Sequence, residues 1–144
     1  MKNFLARRPV QIAFVLILLL LVGIFLLGQW RLAERFAFQQ NQNKWTSQNI
    51  STYSFDVEAI CFCPYREPIH VEVRNGAPTT KNEIEINSVN DLFQIVHDAN
   101  ETADAVSAAY DAQYGFPSYI AIDYIRQAVD DEVSYRVTNF QILR

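Results

Sequence analysis

Glycine is scarce in this chain, with four in 144 residues. No Gly-rich phosphate loop and no G-x-S-x-G nucleophile turn occurs, which removes the common nucleotide-binding and serine-hydrolase signatures. Histidine is scarcer still: His70 and His97 are the only two, and no H-E-x-x-H is present. Cysteine is limited to Cys61 and Cys63. Acid is absent before Trp30: all 16 Asp and Glu follow it, whereas Lys2, Arg7 and Arg8 precede it. The part after Trp30 is therefore acidic and lacks clustered Lys and Arg, so nucleic acid is excluded as a partner. No short-period repeat and no low-complexity tract is visible.

What is abundant is apolar: half the residues, against 19% charged. Residues 10–28 form a run of 19 with one polar side chain, Gln11. At ~1.5 Å per helical residue this reaches ~28 Å, close to the ~30 Å hydrocarbon core of a bilayer. The sequence thus predicts a basic cytoplasmic tail over 1–9 and a transmembrane signal anchor over 10–29. A juxtamembrane helix or linker follows over 30–49, then an extracytoplasmic α+β domain over 50–144. Lys2, Arg7 and Arg8 set the expected orientation, N-terminus in the cytoplasm and domain outside. Trp30 suits an interfacial belt. A cleaved signal peptide is the alternative, but its h-region usually runs 7–15 residues and ends in a small-x-small site. The expected partners are the lipid bilayer, through 10–29, and an unidentified envelope protein or component.

Alternation of apolar and polar residues marks strands over 53–63, 69–74, 105–111, 118–125 and 133–142. Tyr124 is expected to point inward with Ile120 and Ile122. Asn75-Gly76 is the favoured pair for a type I′ hairpin turn. The strand after it is expected mainly over 83–86, since Pro78 makes an earlier start irregular. Ser88 reads as a helix N-cap, with Val89, Leu92, Phe93, Val96 and Ala99 at helical spacing. In the last strand Phe140 and Ile142 fall out of phase with Val133, Tyr135 and Val137, which predicts a bulge. The expected fold is α+β: an N-terminal transmembrane helix, then helix, three strands, helix, three strands, with an antiparallel sheet and helices on one face.

Several segments together resemble a bacterial family of uncharacterised secreted or lipoprotein domains, a domain of unknown function. They are Cys61-Phe62-Cys63-Pro64, the 71–76 stretch ending in Asn75-Gly76, Tyr110-Asp111 with Tyr114-Gly115-Phe116-Pro117, and Asp131-Glu132 with Tyr135. The resemblance covers about residues 45–140. It implies an exported domain and carries no activity, cofactor or catalytic residue. This chain departs from it in having no lipid-accepting Cys after the apolar run.

Cys61 and Cys63 are open to three readings: a metal site, a redox dithiol, or a structural disulfide. Structural zinc wants four ligands, and His70 and His97 both fall on polar faces. Thioredoxin-type chemistry prefers C-x-x-C at a helix start. A structural disulfide between Cys61 and Cys63 fits an outward compartment best and is the expected state of the pair. Asp123, Asp130, Asp131 and Glu132 lack the spacing of a calcium loop and read as a solvated hairpin tip. Asp111 reads as a turn cap rather than a general base. Asn49 and Asn100 open glycosylation sequons, which matter only in a eukaryotic secretory pathway. Most aromatics are expected in the core. Tyr114, Phe116 and Tyr119 flank a turn and form the candidate partner-binding patch. No catalytic residue, metal or cofactor is expected. The leading expectation is a non-enzymatic binding module. The alternative is a thiol-redox or metal-dependent enzyme centred on the C-x-C pair.

Overall fold

The computed structural model describes residues 7–62 and 67–143, except for the side chains of 7–11 and 24–32. The chain divides into two compact units, Met1–Gln40 and Asn41–Arg144. The first contains most of α1, a single continuous helix over Arg7–Ser47. Within it, residues 12–22 expose apolar side chains on every side.

Among the described residues, no helix is long and apolar enough to cross a membrane. The transmembrane helix, the signal anchor and the single-pass membrane placement expected from residues 10–29 are corrected accordingly. Helix α1 runs unbroken through the polar stretch over 39–43 to Ser47.

The second unit is built on one antiparallel sheet. Its strands are β1 (Tyr53–Cys61), β2 (Ile69–Arg74), β3 (Ala77–Pro78), β4 (Ala105–Tyr110), β5 (Pro117–Asp123) and β6 (Val133–Ile142). The order across the sheet is β3-β2-β1-β6-β5-β4. Helix α2 (Val89–Thr102) lies between β3 and β4 in the chain. Alternation explains the strands: Phe55 and Val57 of β1, Val71 and Val73 of β2, and Ile120 and Ile122 of β5 are all buried. The stripe of α2 formed by Val89, Leu92, Phe93, Val96 and Ala99 covers this face. Ser88 caps α2 by accepting a hydrogen bond from Asp91 N.

Trp45, near the end of α1, packs edge-on against Tyr53, Phe116 and Phe140 at 5.3, 6.1 and 5.9 Å between ring centroids. Tyr53 also reaches α2, where its hydroxyl accepts a hydrogen bond from Val89 N at 3.1 Å. The ring and hydroxyl of one side chain therefore tie the end of α1 and the start of α2 to the same face of the sheet.

Two details differ from the sequence reading. Residues 83–86 form no strand; β3 is two residues long and starts directly after the turn. Asn75 and Gly76 both have positive φ (51° and 79°), as a type I′ turn requires, so the chain returns at once onto β2. Pro78 then ends the ladder by lacking a donor. Ile86 is fully buried as a plug from the following loop, which Asn82 organises by donating to Ile86 O and accepting from Ile84 N. Tyr124, expected inward, lies beyond β5 and is exposed. The β6 bulge is present. The register with β1 shifts between Ser54 and Asp56, opposite Asn139, whose φ is 53°.

Candidate functional site

Alternation that buries one face of the sheet puts Asp56, Glu58, His70, Tyr119 and Arg136 on the other. Helix α2 packs on the first face, against β4 and β5, and these five residues of the second face are all at least partly exposed. Two cross-strand rows organise it. In the first, Asp56 of β1 lies opposite His70 of β2, and His70 Nδ1 is 2.6 Å from Asp56 Oδ1. An ionised carboxylate only accepts, so the imidazole Nδ1–H donates. Asp56 Oδ2 accepts from Asn139 Nδ2 at 2.7 Å. The left-handed backbone of Asn139 at the bulge brings this amide to the carboxylate, and asparagine tolerates that conformation better than most residues. The hydrogen bonds from Asn139 and His70 hold the Asp56 carboxyl below the usual carboxylate range, against a small opposing effect of burial.

The second row crosses β1, β6 and β5. Glu58 is opposite Arg136, which is opposite Tyr119. Arg136 Nη1 donates to Glu58 Oε2 at 3.3 Å, and its guanidinium carbon lies 5.9 Å from the Tyr119 ring centroid. Tyr119 donates its hydroxyl proton to Ser134 Oγ at 3.1 Å. The arginine is thus held between a carboxylate and an aromatic ring. Glu72 and Arg74 of β2 form a further pair.

The three residues expected to form a partner patch separate. Phe116 is 3% exposed and belongs to the aromatic core, 4.6 Å from Phe140. Tyr114 is half-buried beside it, 5.0 Å from Phe140. Tyr119 sits on the open face. The turn between them is fixed by Asp111, whose Oδ1 accepts from Gln113 N and Tyr114 N, as a turn cap does. It is held down by Gln48 Nε2, which donates to Tyr114 O at 2.7 Å, and by Lys44 Nζ, which donates to Ala112 O.

The groups weighed for metal or thiol chemistry do not converge among the described residues. Cys61 ends β1, five residues and ~16 Å along the strand from Asp56. His97 is on α2, beside Asp98. No group of three or more metal-ligating side chains is formed among the described residues. Cys63 lies outside them; of the described residues, none is a free cysteine.

The family of unknown function DUF6174 matches residues 37–142, which is most of the chain. The chain belongs to the DUF6174 family. The matched span begins within α1 and ends with β6, so it takes in Trp45, the whole sheet and both polar rows. No curated protein and no solved structure matches the chain.

The sequence reading placed His70 on a polar face and missed its partnership with Asp56. The signal was present in part, since both residues fall on the polar phase of alternating strands. Their register was not legible, because the 62–68 connection carries no turn signature that fixes it. Asn139 was missed as well, although an asparagine at the point where the phase slips is a recognisable mark of a left-handed bulge residue.

Proposed function

We propose that this DUF6174 chain is a non-enzymatic binding module that engages a protein or other envelope component through the open face of its sheet. The observation that carries this reading is Arg136, held between Glu58 and the ring of Tyr119 in the open face. Arginine and tyrosine are the residue types enriched at recognition surfaces. A guanidinium already oriented by two neighbours loses little further freedom on binding. The adjoining Asp56–His70–Asn139 row adds hydrogen-bonding groups in fixed directions. Its His70 resembles the oriented base of a hydrolytic site, but among the described residues no serine, threonine or cysteine is hydrogen-bonded to it.

Of the patch first considered, Tyr119 keeps a place in this surface. The finer resemblance, to exported bacterial domains, goes with a disulfide between Cys61 and Cys63, because such bonds persist in oxidising compartments. Cys61 ends β1, and a bond from it to Cys63 would brace the start of the next connection.

The test is photocrosslinking in the native host. A photoreactive residue is placed at Tyr119 or Thr138 on the open face, or at Gln94 on the outer side of α2. A specific adduct from the first two positions, lost on Arg136→Glu and absent from Gln94, supports the reading. Equal adducts from all three, or none from either open-face position, would overturn it.

A further inference from the structure

The two edges of the sheet are built differently. At one, β3 is two residues long and contains Pro78, so pairing cannot extend there. At the other, β4 is six residues, Ala-Val-Ser-Ala-Ala-Tyr, with no proline and no charge. Natural edge strands are usually blunted by lysine, proline or an inward charge. This one has only a register shift at its far end, between Ala109 and Tyr110.

The ladder shows which backbone groups face outward. Asp104 N donates to Tyr124 O at 3.4 Å, and the same register continues through Val106↔Ile122 and Ala108↔Ile120. Antiparallel pairs alternate between bonded and non-bonded, so Ala105 and Ser107 direct their N–H and C=O groups away from β5. Both residues are exposed. Asp104 and Asp111 flank this uncharged strand, about 23 Å apart at ~3.3 Å per residue. Both carboxylates are fixed in place, Asp104 by accepting from Arg126 N and Asp111 by its turn hydrogen bonds.

We infer that the free edge of β4 accepts an extended segment of another protein, uncharged in its middle and carrying Lys or Arg at each end. Main-chain hydrogen bonds to Ala105 and Ser107 supply the pairing, and the two aspartates select the ends. A second copy of this chain fits less well. Antiparallel self-pairing centred on Ser107 brings Asp104 of each copy beside Asp111 of the other, like charge against like at both ends. An acidic segment is disfavoured for the same reason. This edge is distinct from the open face, and the test reads β4 amides alone, so the two proposals stand or fall separately.

The probe is an end-capped octapeptide, Lys-Thr-Val-Thr-Val-Thr-Val-Lys, added to the full chain while amide hydrogen exchange is followed residue by residue. Exchange at Ala105 and Ser107 is expected to slow at least about tenfold at saturation, while Val106 and Ala108 change little. Replacing both lysines by glutamate should weaken the peptide at least about fivefold. Ser107→Pro removes a donor that the β4–β5 ladder does not use, and should abolish the effect. Asp104→Asn with Asp111→Asn keeps the structural acceptor oxygens and should weaken binding severalfold, which decides the matter if Ser107→Pro does not fold. The proposal is overturned by no slowing with the lysine peptide, by equal slowing with the glutamate peptide, or by full affinity in the Asp104→Asn/Asp111→Asn variant. Slowing that appears on raising protein concentration without peptide would assign the edge to a second copy and also overturn it.

Discussion

Tyr53→Phe isolates the joint between the sheet and α2. Tyr53 is buried and Val89 is fully buried, so the Val89 N–H has no route to water. It belongs to the first turn of α2, where backbone donors have no partner within the helix. Ser88 serves Asp91 N, which leaves the tyrosine hydroxyl as the acceptor for Val89. Deleting that oxygen keeps the ring contacts with Trp45 and Phe140 but strands one buried donor. The expected cost is ~1–3 kcal/mol. For a folded unit of this size that lowers Tm by ~4–8 °C per kcal/mol. Urea unfolding followed by far-UV circular dichroism measures it as a lower midpoint with an unchanged slope. Tyr119→Phe is the matched control. Its hydroxyl meets Ser134 on the open face, where water replaces the lost partner, and the change should stay within ~0.5 kcal/mol. The alkaline limb gives a second reading. Burial, reinforced by the negative charge of Asp91, raises the Tyr53 phenol above its ordinary 10.0, with the Val89 hydrogen bond opposing. The unfolded phenol ionises first. The contribution of Tyr53 is therefore complete below pH ~10 and is lost as pH rises through the folded value. Tyr53→Phe should fall off less steeply above pH 10, although Tyr135, also raised by burial, keeps some slope. A Tyr53→Phe protein as stable as its parent, or no more affected than Tyr119→Phe, would refute the reasoning.

Four further outcomes follow from the same contacts. Trp45→Ala removes the ring that meets Tyr53, Phe116 and Phe140 and should cost ~3–5 kcal/mol in urea unfolding, as for a large aromatic deleted from a core. Gly115→Ala places a Cβ 2.8 Å from Asn41 O at a residue with φ of +85°, so at least ~1–2 kcal/mol should be lost, and less at Gly76, where a Cβ meets open space. Asp56→Asn should flatten the acid limb of stability: the Asp56 carboxyl is lowered by Asn139 and His70, so its contribution is present above pH ~4 and lost as pH falls through its folded value. Mass spectrometry after thiol blocking should find Cys61 and Cys63 unlabelled until reduction; labelling of both without reduction would exclude their disulfide.

Strand positions were legible in the sequence because burial on one face writes a two-residue period, and β2 and β6 begin and end where that period does. The α2 cap was legible because Ser88 precedes an apolar stripe of helical spacing. What was not legible depended on neighbours distant in sequence. Pro78 was read as delaying the third strand, whereas the Asn75-Gly76 geometry returns the chain immediately and Pro78 stops it. Phe116 looked like a turn residue available to a partner, yet Trp45, some seventy residues earlier, covers it. The open face was read only as a set of solvated polar positions. Its rows exist because a one-residue bulge at Asn139 and the registers of β1 with β2 and β6 bring particular side chains opposite one another.

The binding role of the open face is tested most directly by comparing tyrosine modification in intact host cells with that in the purified chain. Radical labelling at Tyr119 is normalised to labelling at Tyr124, which is exposed but lies beyond the sheet. Occupation of the open face requires Tyr119 to be protected severalfold in cells, and the protection to vanish in Arg136→Glu. Equal labelling of Tyr119 in cells and in the purified chain would contradict it.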